Sequence, residues 1–224
     1  MCPPNESPED SRPDGASLAA NERMIRTQIA ARGVRDPRVL DALRSVPREL
    51  FVPTNLQASA FDDTPLPLER GQTISQPFIV GFMTELLELR GDERVLELGT
   101  GSGYQTAVLA RLAAHVYSAE LEPDLARQVA DRLASLGITN VTLRVGDGVT
   151  VFRDEAPFDA ILCAAAPLEL PQALIDQLAD GGHCIIPVGE PESQNLWLIQ
   201  RRAGRVERTR LDPVRFVPLR SNEG

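Results

Sequence analysis

The residue types most suited to ligand chemistry lie in the run 97–103, Glu-Leu-Gly-Thr-Gly-Ser-Gly. The run 95–98, apolar except for Glu97, predicts a buried parallel strand, and the apolar positions within 107–112 predict a helix that follows the glycines. Glycine suits the turn between them, because turn positions often need a positive φ and a side chain would keep a ligand away. We predict that the backbone N–H groups of this turn face a nucleotide-type ligand.

The glycine spacing discriminates between nucleotides. The dinucleotide fingerprint G-x-G-x-x-G needs its third glycine where this chain has Tyr104, which disfavours a nicotinamide-dependent dehydrogenase. Glu97 would repel a pyrophosphate but attract the ammonium and sulfonium groups of S-adenosylmethionine. The pattern therefore resembles the first motif of S-adenosylmethionine-dependent methyltransferases with a Rossmann-like fold. A structural glycine turn in another α/β protein is the alternative that the motif leaves open.

Polar or glycine residues also end the next two predicted strands, and ligands of open α/β sheets bind at such ends. Glu120 lies 21 residues beyond Gly99, where an acid can accept the ribose hydroxyl protons. Asp147 and Gly148 close the third strand and are candidates for holding the adenine amino group. The alternatives are a solvated charge before Pro123 and a plain Gly-Asp-Gly turn. The three strand ends together favour a cofactor site.

A second informative segment is 72–77, Gln-Thr-Ile-Ser-Gln-Pro. Its Thr73 and Ser75 hydroxyls come just before a helix that Pro77 is predicted to begin, and a helix N-terminus favours anions. Simple capping of that helix explains the same residues, and the segment alone favours this second interpretation.

The elements around these residues predict an α/β fold with a doubly wound, mostly parallel sheet and antiparallel strands at its C-terminal edge. Strands are predicted at residues 95–98, 115–121, 141–145, 158–163, 182–188, 195–201 and 206–211, with a last extended piece at 214–219. Helices are predicted at 21–32, from 37 through 43, from 77 through 87, after the glycine turn, at 123–136 and at 171–178. Residues 61–71 are predicted to form a loop without helical or strand period.

Composition limits the function. The 224 residues suit one domain, and the formal net charge of −9 argues against a protein that grips a phosphate backbone. All 23 basic residues are arginine, which excludes a Schiff-base lysine. The two histidines, His115 and His183, lack metal-ligand spacing, so we predict no metal site. Cys163 and Cys184 are expected to be buried free thiols in a reducing cytoplasm.

The domain organisation is expected to be simple. Residues 1–20 are acidic and proline-rich and are predicted to be a disordered tail that is no signal peptide. No run of 18 apolar residues is present, which predicts no membrane span. Residues 21–224 are predicted to form one domain: N-terminal helices and a substrate loop at 21–92, a Rossmann-like core at 93–190, and terminal strands at 191–224. We expect a monomer.

Longer motifs give a specific resemblance. The segments GQTISQPFIVGFMTELLEL and VLELGTGSGYQTAVLA are similar to the protein-L-isoaspartate O-methyltransferases, which repair isomerised aspartyl residues. The likeness runs from about residue 24 to residue 219 and includes RGVRDPRVLDALRSVPRELFVP, DDTPLPL, VGDG, FDAILCAAAP and PVRFVPL, in the order of the family. It implies that S-adenosylmethionine methylates the free α-carboxylate of L-isoaspartyl residues in damaged proteins and peptides.

The resemblance also implies roles for single residues. The active-site serine of the family falls on Ser75, and the substrate is held partly by Val217, Pro218 and Leu219. The cofactor contacts of the family fall on Gln72, Thr73, Glu97, Gly99, Thr100, Gly101, Ser102, Gly103, Glu120, Leu121, Asp147 and Gly148. The chain departs from the family at Leu68-Glu69-Arg70, where relatives commonly continue with Ile-Gly, and at Arg220, where relatives often carry a small or polar residue.

Two rival functions remain open at this point. A methyltransferase on the same scaffold that acts on a small molecule or RNA is disfavoured by the −9 charge and by the long loop at 61–71, which suits a peptide groove. A non-catalytic module that recognises isoaspartyl sites is disfavoured because Ser75, Glu97 and Glu120 are all present.

Overall fold

A seven-stranded sheet forms the centre of the protein in a computed structural model that describes residues 14–68 and 71–220. The strands are β1 Leu66–Pro67, β2 Thr73–Ile74, β3 Arg94–Leu98, β4 His115–Glu120, β5 Val141–Val145, β6 Phe158–Cys163, β7 Leu178–Glu190, β8 Ser193–Arg202 and β9 Arg205–Val214. The central sheet has the order β5-β4-β3-β6-β7-β8-β9. Strands β3 to β7 pair in parallel, whereas β8 and β9 pair antiparallel, which confirms the predicted sheet.

Helices α1 to α3 precede the central sheet along the chain, and α4 to α6 alternate with its strands. They are α1 Gly15–Met24, α2 Pro37–Ser45, α3 Pro77–Glu85, α4 Tyr104–Ala110, α5 Pro123–Ser135 and α6 Gln172–Ile175. Helix α1 continues as a π-helical turn at Ile25–Ile29 and a 3-10 turn at Ala30–Arg32. Shorter 3-10 turns lie at Arg48–Phe51, Thr54–Ser59 and Arg153–Glu155.

The predicted helix boundaries follow the capping residues. The Asp36 side chain accepts the N–H of Arg38 and Pro37 begins α2, while Pro77 begins α3. Gly33 ends the first helical segment with a φ of 109°, a left-handed conformation that favours glycine.

Several strands and helices end a few residues from their predicted boundaries, and three regions have a different structure from the one predicted. Residues 15–20, which were assigned to the tail, belong to α1, because Asp14 caps this helix by accepting the N–H of Ser17. Residues 1–13 of the predicted tail lie outside the described residues, as do Glu69 and Arg70, where the sequence differs from the family pattern. Within the predicted loop, β1 pairs with β2 over two residues. Helix α6 ends at Ile175, and Leu178 instead opens β7 by pairing with Phe158.

Alternating side chains along β3 divide the core into two layers. Val95 belongs to a large cluster on one face, which includes α4 and the N-terminal helices, whereas Leu96 and Leu98 belong to a second cluster on the opposite face. By the same alternation, the side chain of Glu97 lies on the same face of the sheet as that of Val95, toward α4. Along residues 14–68 and 71–220, no helix is both long and apolar enough to cross a membrane.

Candidate functional site

The glycine turn joins β3 to α4 through three residues with positive φ, Gly99 at 86°, Gly101 at 55° and Gly103 at 83°. A Cβ on Gly103 would lie 2.6 Å from Val129, so this glycine permits α4 to pack against α5 rather than forming part of the ligand cleft. A Cβ on Gly101 would meet its nearest atoms only at 3.9 Å, one of them the Thr73 carbonyl oxygen. The turn therefore runs beside segment 72–75.

Four of the five N–H groups of residues 99–103 donate to acceptors within the protein, which contradicts the prediction that this turn presents its N–H groups to a ligand. Those of Gly99 and Thr100 donate to Ala119 O at 3.0 and 3.2 Å, and that of Gly103 donates to Thr100 O at 2.9 Å. The N–H of Gly101 donates to Glu120 Oε2 at 2.9 Å. A turn whose donors are occupied binds a phosphate poorly, which agrees with the argument against a dinucleotide.

Glu97 lies beneath the turn, with none of its surface exposed. Its Oε2 accepts the hydroxyls of Thr106 and Ser118, both at 2.6 Å. Because the Ser118 proton is used there, Thr100 donates its own hydroxyl proton to Ser118 Oγ at 2.6 Å. Burial raises the pKa of Glu97 to about 7, against the lowering effect of the two hydroxyls. Oε1 is buried and accepts no hydrogen bond from the described residues.

Glu120, at the end of β4, fixes the backbone around the turn. Its Oε2 accepts the N–H of Gly101, and its Oε1 accepts those of Leu121 at 2.9 Å and Glu122 at 3.1 Å. A carboxylate offers about four acceptor positions, so one remains open for an incoming hydroxyl. The prediction that Glu120 accepts both ribose hydroxyls therefore needs one of these backbone bonds to be given up.

A small cleft lies over the carboxyl ends of the parallel strands. Eight of the predicted site residues line it: Gln72, Gly99, Glu120, Leu121, Gly148, Val217, Pro218 and Leu219. Leu98, Ala119, Gly146, Ala165 and Arg220 complete its walls. The space measures about 50 Å³, which is room for a few water molecules.

Other predicted cofactor residues lie outside this lining. Glu97 and Thr100 are buried beneath the turn. Ser102 lines a separate depression with Arg132, which donates to its carbonyl oxygen at 2.8 Å. Asp147 accepts the N–H of Val149 at 2.8 Å and so forms the turn that the sequence left as its alternative role.

Segment 216–220 closes the cleft and is held at two places. The side-chain amide of Gln194 donates to Phe216 O at 3.0 Å and accepts the Phe216 N–H at 2.6 Å. Ala166 accepts the N–H of Leu219 and donates to Val217 O, both at 2.8 Å. Gln194 was not predicted, because a glutamine inside an antiparallel strand carries no pattern that distinguishes it. The alanines at 164–166 follow β6 and could have been found by the rule on strand ends.

Ser75 lines a second, larger space next to the cleft. This groove measures about 570 Å³ and is bordered by Arg32, Thr73, Phe78, Phe82 and Phe216. The Ser75 hydroxyl makes no hydrogen bond to any described residue, whereas its carbonyl oxygen accepts from Arg48 Nη2 at 2.8 Å. Two chain segments pass from the groove to the cleft. In segment 72–75, Gln72 lines the cleft and Ser75 lines the groove, and segment 214–220 lines the groove with its first residues and the cleft with its last.

Within the part of the chain that the structure describes, no group of three or more histidine, cysteine or acidic side chains could hold a metal ion.

Comparisons with known proteins agree on one family. The family model of protein-L-isoaspartate(D-aspartate) O-methyltransferases matches residues 19–224. The protein-L-isoaspartate O-methyltransferase of Methanoculleus marisnigri is 54% identical over 198 residues, which cover 88% of this chain and 90% of the relative. That of Koribacter versatilis is 48% identical over 213 residues, covering 95% and 96% of the two chains.

Solved structures give the same result. A Plasmodium falciparum protein described as a protein-L-isoaspartate O-methyltransferase, crystallised with S-adenosyl-L-homocysteine, superposes with a TM-score of 0.78 and 27% identity. The match covers 92% of this chain and 99% of the other. A second protein-L-isoaspartate O-methyltransferase structure matches with a TM-score of 0.81 and 26% identity over 91% of this chain and 67% of its own.

Proposed function

Because the chain belongs to the protein-L-isoaspartate(D-aspartate) O-methyltransferase family, we propose that Ser75 holds an isoaspartyl carboxylate where the groove meets the cleft. The protein is an S-adenosylmethionine-dependent enzyme that methylates the free α-carboxylate of L-isoaspartyl residues. The observation that carries the proposal is that segments 72–75 and 214–220 each line both spaces, so a donor in one and an acceptor in the other would meet there.

Residues in the cleft, in the glycine turn and beneath it fit the cofactor. The unpartnered Oε1 of Glu97 would accept from its ammonium group, and the free acceptor position of Glu120 from a ribose hydroxyl. The open side of Gly101 leaves room beside Thr73. Since the cleft measures only about 50 Å³, we infer that segment 216–220 moves outward when the cofactor enters. When bound, S-adenosylmethionine supplies an electrophilic methyl group on a sulfonium.

The residues around Ser75 suit a substrate that needs no base. An α-carboxyl group has a pKa of about 3.5 and is ionised at neutral pH, so it is already a nucleophile. What the protein must supply is alignment and removal from water. We propose that the free Ser75 hydroxyl donates to one carboxylate oxygen, and that backbone groups of Val217, Pro218 and Leu219 hold the peptide. The apolar walls of the groove, such as Phe78 and Phe216, exclude water.

The reaction is tested with a pair of peptides. Labelled S-adenosylmethionine is incubated with an isoaspartyl peptide, with its normal aspartyl twin and, separately, with RNA. We expect label only in the isoaspartyl peptide. Equal labelling of the two peptides, or label in RNA alone, would contradict the assigned substrate.

Glu97 gives the proposal a pH signature. The pKa of this buried carboxyl is about 7 in the protein without cofactor, so below pH 7 it takes up a proton and loses its attraction for an ammonium group. We therefore expect the affinity for S-adenosylhomocysteine to fall by about tenfold per pH unit below 7. Glu97→Gln should bind weakly at every pH between 6 and 8. Calorimetry across this range measures both.

The stability of the same variants provides the control. An acid whose pKa is raised by folding binds more protons in the folded state, so it lowers stability as pH rises from about 4.5 to about 7. Glu97→Gln should remove this decline, whereas the exposed Glu207→Gln should change neither stability nor affinity. A wild-type affinity that stays constant from pH 6 to 8 would refute the ammonium contact.

The amino-acid composition also bears on the compartment and the partners of the enzyme. We propose that it acts as a monomer in the cytoplasm without nucleic acid, and that helices, loop and sheet form a single catalytic domain. The net charge of −9 supports the absence of nucleic acid, and the free buried thiols of Cys163 and Cys184 support a reducing compartment.

A further inference from the structure

Arg48 is a fully buried cation directly behind the proposed active site. None of its surface is exposed, and it forms no ion pair with any residue in the described ranges 14–68 and 71–220. Burial lowers the pKa of its guanidinium. Placing a charge in the interior without a counter-ion costs stability, and an apolar side chain of similar volume would avoid that cost. A role in stability alone therefore does not explain an arginine here.

The contacts of Arg48 join three separate segments. Its Nε donates to Ala60 O and its Nη2 to Ser75 O, both at 2.8 Å. Its Cζ lies 4.8 Å from the centre of the Tyr104 ring, within range of a cation–π contact. Tyr104 is the first residue of α4, immediately after the glycine turn. One side chain thus connects the substrate side, through Ser75, to the cofactor side, through Tyr104.

Only arginine meets these contacts together. Its planar fork presents donors in two fixed directions and stacks on a ring, whereas the single ammonium of lysine cannot reach both carbonyl oxygens from the same position. The guanidinium points at the backbone of Ser75 and is shielded from the groove by it. Arg48 therefore does not bind the substrate carboxylate itself.

We propose that Arg48 is a positioning residue for methyl transfer, which holds Ser75 at a fixed place relative to the helix that follows the glycine turn. This inference rests on the proposed role of Ser75. Methyl transfer needs the attacking oxygen in line with the bond from sulfur to methyl, so a displacement of the Ser75 backbone would lower kcat more than cofactor binding.

The test uses Arg48→Lys, with Arg48→Gln as a second variant in case the first does not fold. Each is assayed well below its unfolding temperature, with S-adenosylmethionine and an isoaspartyl peptide at saturation. We expect kcat to fall about 10- to 100-fold. The affinity for S-adenosylhomocysteine, measured by calorimetry, should stay within a few-fold, which also shows that the variant is folded.

Two further variants make the result specific. Arg38 also donates to two backbone carbonyls, Leu89 O and Leu112 O, which line neither the cleft nor the groove. Arg38→Lys should lower stability and leave kcat unchanged. Because Arg38 is more exposed than Arg48, the loss of stability should be the smaller of the two. In a Ser75→Ala background, Arg48→Lys should cause little additional loss of kcat, because both changes act on the same hydroxyl.

The outcomes separate this inference from the role of Ser75. If Ser75→Ala lowers kcat while folded Arg48 variants retain wild-type kcat, Arg48 is structural and the inference fails alone. Additive losses in the double variant, or equal losses of kcat and cofactor affinity in Arg48→Lys, would also overturn it. If Ser75→Ala leaves kcat unchanged, the proposed role of Ser75 is wrong, and the inference about Arg48 falls with it.

Discussion

Replacing Ser75 by alanine is expected to lower kcat about 10- to 150-fold, which corresponds to the loss of one hydrogen bond to a charged group. The affinity for S-adenosylhomocysteine should stay within a few-fold, since Ser75 lines the groove and not the cleft. Stability should also be retained, because the Ser75 hydroxyl makes no hydrogen bond within the described structure. The carbonyl oxygen, which Arg48 holds, is unaffected by the substitution.

Steady-state kinetics with an isoaspartyl peptide and calorimetry with S-adenosylhomocysteine measure the two effects. Ser135→Ala serves as a control, because the Ser135 hydroxyl donates to Arg132 O at the exposed end of α5. Equal losses of turnover and cofactor affinity in Ser75→Ala would contradict the proposed contact with the substrate carboxylate. The capping role that segment 72–77 left open is not supported, because Gln76 is the N-cap of α3 and no side chain caps this helix.

The fold was predictable because its signals are local. Apolar runs gave β5 and β6 with their exact ends, and Pro37, Pro77 and Gly33 gave helix boundaries that the structure confirms. The mostly parallel sheet and its antiparallel edge followed from the alternation of strands and helices, whereas the order of the strands is known only from the structure. Leu178 was misassigned because leucine and isoleucine at helical spacing also suit a strand, and only pairing with Phe158 decides between them.

The sequence predicted that residues at the strand ends lie together, but it did not predict their hydrogen bonds. Strand ends located Glu120 and Gly148, yet the sequence could not show that Ala119 and Glu120 occupy the N–H groups of the glycine turn. Those bonds cross between neighbouring strands and depend on their register. Arg48 was missed for the same reason, since its partners Ala60 and Ser75 are 12 and 27 residues away.

A second large effect is expected for Glu120→Ala, because the Glu120 carboxylate accepts several backbone hydrogen bonds. The substitution removes an acceptor for a ribose hydroxyl and also the carboxylate that accepts the backbone N–H groups of Gly101, Leu121 and Glu122. Each hydrogen bond to a charged group contributes about 1.5–3 kcal/mol. We therefore expect the affinity for S-adenosylhomocysteine to fall at least about 10- to 150-fold and the unfolding temperature to fall as well.

Ligand analogues separate the two roles of Glu120. Wild-type protein should bind analogues of S-adenosylhomocysteine that lack the ribose 2′- or 3′-hydroxyl more weakly than the parent ligand, because Glu120 has one acceptor position to offer. Glu120→Ala should bind at least one of these analogues and the parent ligand equally well. Glu207→Ala, an exposed substitution with the same change in charge, should behave as wild type.

If Glu120→Ala still binds both analogues more weakly than the parent ligand, by the same factor as the wild type, another group must hydrogen-bond the ribose hydroxyls. The loss of affinity in the variant would then come only from disorder of the turn. This distinction matters for the mechanism, because the Gly101 N–H that Glu120 holds lies in the turn that passes Thr73. If Glu120 both binds the ribose and fixes this turn, cofactor binding and the placement of segment 72–75 depend on one carboxylate. Glu120→Ala should therefore lower kcat even at saturating cofactor, which the exposed control should not do.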